Sequence, residues 1–278
     1  MQETVTTRSK VLLRSPDDFN LRLIIRADAS SLIFAIGSST SPHSFITECY
    51  QVNRSISLAA NLRTFFGTSE LLQSGYTKVV LLLASPVLLV PLEEYRSDSD
   101  LTSLYLHTFI LGDNSLLQCN VLPWFNAVSV FSVDKALKSV VDGHFCDVRI
   151  VNVRESVWQY LRHYALSGDR HKLFAYFHSH QVDIFCFARD RFRFSNTFDA
   201  SRSNDVVYYL LSVWNHLGLD VHVDELHLIG MPPDMEVVKA SLLRYLRHVY
   251  VIRNRSLLAP HSSLPADRDT LPFDLLVT

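Results

Sequence analysis

The stretch that decides the fold is LIIRADASSLIFAI, residues 23–36, in which two apolar runs flank a short polar turn. The same plan recurs as LFAYFHSHQVDIF, residues 173–185, and the offset (178 − 28 = 150) sets His178 at the place of Asp28. Apolar runs joined by a few polar residues predict a pair of hydrogen-bonded strands. A duplicated strand–turn–strand unit predicts two similar domains, with the two hairpins in separate sheets.

The segments that follow each hairpin agree in order. In the first half they predict a strand at 45–52, a helix at 57–66 and a strand buried on both faces at 79–83. In the second half they predict a strand at 192–198, a helix at 204–217, a buried strand at 226–229, a helix at 235–247 and a last strand at 249–252. This order indicates an α/β protein with two domains, each with a mixed central sheet flanked by helices. The tail after Asn254 is rich in Pro, Ser and Asp and is expected to be extended.

The best domain boundary lies at Gly168, which closes a predicted helix. We therefore predict an N-terminal domain at 1–167 and a C-terminal domain at 168–278, with an extra block inserted in the first at about 87–145. Pro123-Trp124-Phe125 lies at a predicted hairpin tip in this block. An exposed Trp-Phe pair there would anchor a protein partner; the alternative is that the tip folds back on its own subdomain.

Composition narrows the classes of partner. The chain has 278 residues, 48% hydrophobic and 19% charged, and a formal net charge of −2, which gives no reason to expect nucleic acid or an anionic membrane. The longest apolar stretch, 79–92, contains two prolines and is too short to span a bilayer. The four cysteines form no CxxC pair, as expected of free thiols in the cytoplasm.

Four segments resemble an uncharacterised bacterial family of unknown function with a two-domain, actin-like architecture. They are VPLEEY at 90–95, residues 192–198, DVVYYLL at 205–211 and LHLIG at 226–230. The duplicated order of elements likewise resembles the actin-like ATPase fold, which is ribonuclease H-like, of sugar kinases, chaperones and cell-division actin homologues. The resemblance spans roughly residues 20–255 and implies the fold; it brings no established activity.

Both turns depart from the chemistry that the resemblance implies. Active relatives place Asp-x-Gly in each turn, where the acids position Mg²⁺ and glycine lets phosphate approach the backbone. Here the first turn keeps Asp28, Ser30 and Ser31 without a glycine, and the second has His178 in place of the acid. Gly230 alone remains of a glycine-rich loop on the nucleotide's purine side. The chain has 8 glycines, whereas average usage of about 7% would give about 19.

These observations leave three functional hypotheses. The preferred one is a non-enzymatic pseudo-ATPase that holds no cofactor and binds another protein, with Asp28, Ser30, Ser31, His178 and Gly230 as a vestigial cleft site. The alternative is a divergent ATP-binding protein or ATPase switch that holds Mg-ATP in the interdomain cleft. The third is metal or small-ligand binding at His178 and His180. Separately, we expect Asp28 to face water with few buried contacts, so that Asp28→Ala costs no more than about 1 kcal/mol.

Overall fold

The computed structural model describes residues 7–9, 21–38, 46–73, 75–76, 78–95, 97–166, 168–188, 191–254 and 271–278. They form two compact units, the first up to Ser156 and the second from Val157 onward. Most of the predicted tail lies outside the described residues. No helix in these ranges combines the length and the apolar character needed to cross a bilayer.

The elements of the first unit follow one another in chain order. They are β1 Thr7–Ser9, β2 Leu21–Ala27, β3 Ser31–Ser38, β4 Ile46–Gln51, α1 Leu58–Phe66, α2 Glu70–Gln73, β5 Lys78–Leu83, β6 Val87–Pro91, α3 Asp98–Thr108, β7 Ser115–Leu122, β8 Ala127–Asp134, α4 Lys135–Asp142 and β9 Asp147–Asn152. Helix α5, Val153–Ala165, begins at the end of this unit and continues into the second.

The main sheet of the first unit has the strand order β1-β4-β3-β2-β5-β9. The pairs β1–β4, β4–β3 and β3–β2 are antiparallel, whereas β5 runs parallel to both β2 and β9. Because β5 has a neighbouring strand on each side, it is apolar and buried from Val79 to Leu83. Helices α1, α2 and α4 contribute buried side chains to the core on one face. The Ser57 side chain accepts a hydrogen bond from the Ala60 amide and begins α1.

The inserted block forms its own antiparallel sheet, in the order β6-β8-β7. Its small core consists of Val90, Leu101, Tyr105, Val128 and Val130. Strand β8 continues through Val133 and Asp134, because these residues pair with Leu116 and Ser115 of β7. Asp134 then caps α4 through the Leu137 amide at 2.7 Å.

The elements of the second unit after α5 also follow in chain order. They are β10 Lys172–His178, β11 Gln181–Ala188, β12 Arg191–Asp199, α6 Ser203–His216, β13 Glu225–Gly230, α7 Met235–Leu242, β14 Val249–Ile252 and α8 Phe273–Leu276. The sheet order is β12-β11-β10-β13-β14, with β13 parallel to β10 and to β14. Helix α7 ends at Leu242, earlier than predicted, because the chain then turns and the Arg247 amide donates to the Val221 carbonyl.

The two units repeat one five-stranded plan, β4-β3-β2-β5-β9 in the first and β12-β11-β10-β13-β14 in the second. The repeat extends to register: Ala27 lies opposite Leu32 in the first hairpin, and Phe177 lies opposite Val182 in the second. Both pairs differ by 150 residues, as the sequence predicts, and the hairpins lie in separate sheets. The predicted α/β architecture with a duplicated mixed sheet is therefore confirmed.

Candidate functional site

The first turn lies between β2 and β3, beside the end of the parallel strand β5. Ala27, the last residue of β2, pairs with Leu83, and the Asp28 amide donates to the Ser31 carbonyl at 3.0 Å. The carboxyl ends of parallel strands are where α/β sheets bind ligands. The structure therefore brings Asp28, Ser30 and Ser31 together at a position suited to a ligand.

The carboxylate of Asp28 is saturated by its own neighbours. Its Oδ1 accepts hydrogen bonds from the amide and the hydroxyl of Ser30 and from the amide of Ser31, each at 2.8 Å. Its Oδ2 accepts from the Ser31 hydroxyl at 3.0 Å and from the Arg26 guanidinium at 2.5 Å. Five donors on two oxygens leave little capacity for a metal ion or a positioned water.

The ion pair with Arg26 contradicts the expectation that Asp28 faces water. The side chains of Arg26 and Asp28 are only 3% and 9% exposed. Burial alone would raise the pKa of Asp28, but the charge of Arg26 and the hydrogen bonds from Ser30 outweigh it, so the pKa lies below its ordinary value. The sequence held a signal for this pair, because Arg26 is a charged residue in an apolar run, two positions before Asp28 on the same strand face.

The second turn is built from two residues in the left-handed backbone region. Ser179 has φ of 45° and His180 has φ of 61°. Such two-residue hairpin turns favour Asn and Gly, since side chains with a Cβ adopt positive φ only at a cost. The turn is held by the Ala200 amide, which donates to the His180 carbonyl at 2.8 Å. Both side chains are exposed.

His178 is engaged within the second unit. Its Nε2 lies 2.6 Å from Oδ2 of Asp183, and the two side chains are each 3% exposed. The Thr197 hydroxyl donates to the other oxygen of Asp183 at 2.6 Å. The His178 ring also stacks on Tyr176, with centroids 4.9 Å apart.

The histidine pair does not form a metal site in the described ranges. His178 is buried against Asp183, whereas His180 is exposed at the turn. Nowhere in the described part of the chain do three or more His, Cys, Asp or Glu side chains form a group suited to a metal ion.

A steric constraint explains why the residue at position 230, beside the second turn, is a glycine. It ends β13 opposite Phe177, and its φ is +84°. A Cβ added there would lie 2.4 Å from the Phe177 carbonyl oxygen, a distance that real Cβ atoms do not show. The close approach of two backbones therefore accounts for the glycine.

A further polar group at the ends of β5 and β9 escaped the sequence predictions. Glu155 accepts a hydrogen bond from the Ser129 hydroxyl and, at 3.1 Å, from the Asn120 amide, so it ties α5 to β7 and β8. Burial raises the pKa of the Glu155 carboxyl, and these hydrogen bonds offset the effect only in part. Asn152 and Arg154 donate to the Ser85 carbonyl at 2.9 and 2.7 Å. The sequence carries no local signal for these contacts, because the partners are 26 to 69 residues apart.

Comparison with known proteins agrees with this architecture. The model of a family described as "Protein of unknown function (DUF3822)" matches residues 17–249. A crystal structure from Bacteroides thetaiotaomicron VPI-5482, a protein with an actin-like ATPase fold and unknown function, is 25% identical, with a TM-score of 0.78 over 87% of this chain and 94% of that one. The PilM–PilN type IV pilus biogenesis complex is 10% identical, with a TM-score of 0.61 over 92% of this chain and 97% of that one. No protein with a curated description matches the sequence.

Proposed function

We propose, from the premise that the chain belongs to the DUF3822 family of proteins of unknown function, that it is a non-catalytic protein that binds another protein. Its scaffold is the actin-like ATPase fold. The single observation that carries the proposal is the closed first turn, in which Arg26, Ser30 and Ser31 occupy both oxygens of Asp28.

Phosphoryl transfer needs a metal ion, backbone donors and an oriented water in place together. In the first turn the Ser30 and Ser31 amides, the donors that would face a phosphate, already bind Asp28. In the second turn the position of the second acid is taken by His178, and imidazole is a poor ligand for Mg²⁺. Each turn on its own lacks what the reaction requires.

Protein binding is supported by the surface of the inserted block. Large apolar side chains are exposed along its helix, loop and hairpin: Leu104, Leu106, Ile110, Leu116, Val121 and Trp124. Apolar surface of this kind marks interaction sites in soluble proteins. The two predicted anchor residues at the hairpin tip differ in exposure: Trp124 is 56% exposed, whereas Phe125 is only 3% exposed. The PilM–PilN complex adds that a protein of this fold assembles with another protein.

We propose that the protein lies in the cytoplasm, because its four cysteines are far apart in the sequence and form no CxxC pair, a pattern that suits a reducing compartment.

Thermal unfolding with and without Mg-ATP tests the non-catalytic half of the proposal. A ligand at 100 times its dissociation constant adds about 2.7 kcal/mol to the stability of the folded state. We expect no change in melting temperature at millimolar Mg-ATP. A rise that depends on both Mg²⁺ and ATP would contradict the proposal and favour the ATP switch.

Photo-crosslinking in the source organism tests the protein-binding half. A photoreactive residue at Trp124 should yield one dominant adduct with another protein, and Trp124→Ala should prevent its co-purification. The matched control is Tyr208, which is 67% exposed on α6 of the second unit. Equal adducts from both positions, or none from Trp124, would count against the inserted block as the binding surface.

A further inference from the structure

The end of the described chain, residues 271–278, is docked on the second unit. Phe273 to Leu276 form the four-residue helix α8. Phe273, Asp274 and Leu275 are 1%, 0% and 0% exposed, so this short segment is as deeply buried as the strands of the core. The segment therefore forms a helix where the sequence predicts an extended tail.

Polar contacts fix the register of the segment. The Tyr176 hydroxyl donates to Oδ2 of Asp274 at 2.6 Å, and both groups are buried. The Asn254 side chain donates to the Leu271 carbonyl at 2.8 Å. The Thr278 hydroxyl donates to the Asp274 carbonyl at 2.6 Å and closes the helix on itself. The hydrogen bond to a fully buried carboxylate favours this one register of the segment, because any other register would bury the carboxylate without its partner at a cost in free energy.

The apolar contact is aromatic. The Phe273 ring lies 5.7 Å from Tyr160 and 6.2 Å from Tyr176, measured between centroids. The ring of Tyr176 also stacks on the His178 ring, with centroids 4.9 Å apart. Tyr176 therefore contacts both the segment 271–278 and His178, the residue that precedes the second turn. We call the surface formed by Tyr160, Tyr176 and Asn254 the tail groove.

We propose that the tail groove is a peptide-docking site, and that residues 271–278 occupy it in place of a segment from a partner protein. The proposal rests on the proposed function, in that the competing occupant comes from another protein. The tail itself defines the chemistry: an aromatic residue, an aspartate and two aliphatic residues on one short helix. Short amphipathic helices in grooves are a recurring mode of peptide recognition. The aromatic residue fills the space beside Tyr160, and the aspartate accepts the hydrogen bond of Tyr176.

The test uses the full chain with a cleavage site for a sequence-specific protease placed within residues 255–270. The probe is a fluorescent peptide, Leu-Pro-Phe-Asp-Leu-Leu-Val-Thr, which reproduces residues 271–278. After cleavage we expect the peptide to bind saturably. We expect binding at least tenfold weaker to the uncleaved chain, since a tethered tail competes at an effective concentration in the millimolar range.

Matched variants test whether Tyr176 recognises the aspartate of the peptide. A peptide carrying Asp274→Asn should bind the cleaved protein at least tenfold more weakly than the original. In Tyr176→Phe protein the difference between the two peptides should shrink at least threefold, because the cycle isolates the Tyr176–Asp274 contact from the other contacts of Asp274. Equal affinity of the two peptides for the unaltered groove, or no saturable binding to the folded, cleaved protein, would overturn the proposal. Concentration-dependent dimers that exchange tails would overturn it in favour of self-association.

Hydrogen exchange on the intact chain provides a second measurement if cleavage unfolds the protein. Amides of 273–278 should exchange at least tenfold faster than those of β10, because a replaceable tail opens without global unfolding. Equal protection would overturn the proposal. The peptide-docking proposal and the proposed function can be tested apart. If the protein binds both the peptide and Mg-ATP, only the proposed function is contradicted. If it binds neither, only the peptide-docking proposal is contradicted.

Discussion

Asp28 shows at the scale of one residue how a turn can occupy its own carboxylate. Its five hydrogen bonds, of which the one from Arg26 is also an ion pair, organise the chain reversal between β2 and β3. A carboxylate that binds its own turn amides is an Asx-type turn, which provides locally the fixed geometry that glycine or a ligand would otherwise provide. A carboxylate that is bonded in this way differs from one that positions a metal ion.

Asp28→Ala should lower the free energy of unfolding by about 2 kcal/mol, because it removes the ion pair with the buried Arg26 guanidinium and the acceptor of two turn amides. Ser30→Ala is the matched control, since it removes one exposed hydroxyl bond and should cost about 0.5 kcal/mol. Urea unfolding measures both. A loss below about 0.5 kcal/mol for Asp28→Ala would show that the network contributes little to stability.

His180→Gly should raise the free energy of unfolding by about 1 kcal/mol, because glycine adopts the positive φ of this turn without strain. His180→Ala is its matched control: it removes the imidazole but keeps the Cβ, and it should bring no gain. Thermal or urea unfolding distinguishes the two. Equal stabilisation by both variants would assign the effect to the imidazole instead of the backbone.

Gly230→Ala should cost more than about 2 kcal/mol, because the new Cβ would overlap the Phe177 carbonyl oxygen. Gly218→Ala tests the backbone term separately, since Gly218 has φ of +63° but no atom within 4 Å of the added Cβ. It should cost about 1 kcal/mol. Equal costs measured by urea unfolding would remove the overlap as the cause. Gly230 variants are therefore unsuitable probes of nucleotide binding.

At the scale of the elements, the hairpins and parallel strands follow from local pattern. The largely apolar runs at 23–27 and 79–83 predict strands, because a buried strand needs consecutive apolar residues and this pattern is visible in the sequence. The limits of α4 and α7 were less predictable, since tertiary pairing at Asp134 and Arg247 decides them. The bonding of Asp28 follows from hydrogen-bond geometry within the turn. Contacts such as Glu155 with Asn120 join distant elements, and no local pattern specifies them.

Glu155 gives the junction of α5, β7 and β8 a dependence on pH. Its pKa is raised in the folded state, so its contribution to stability is present below the unfolded value of about 4.5 and is lost as pH rises through the folded pKa. Relative to Glu155→Gln, the unaltered protein should therefore lose stability as pH rises from 4.5 to neutrality. Urea unfolding across this range measures the difference. A constant difference between the two proteins would contradict the raised pKa.

In the molecule as a whole, the fold is established without an activity. Two units repeat one five-stranded topology at an offset of 150 residues, and the family and structural comparisons support the same actin-like fold. Fold alone does not assign function, which depends on the site. In this chain the Asp28 carboxylate is occupied by Arg26, Ser30 and Ser31, His178 contacts Asp183, and the inserted block exposes apolar surface. This is why we propose a function at the surface of the protein and not at the two turns.

Isothermal titration with Mg-ATP measures whether a protein with these two turns binds nucleotide. The protein at neutral pH, where the Arg26–Asp28 pair is ionised, should give no saturable heat at millimolar nucleotide. Arg26→Gln is the informative companion, because it removes one of the two donors to Oδ2 of Asp28 while the Ser30 and Ser31 bonds remain. It too should give none, since the second turn lacks an acid. Saturable binding to the unaltered protein that Asp28→Asn weakens would contradict the account and establish an ATP-binding protein.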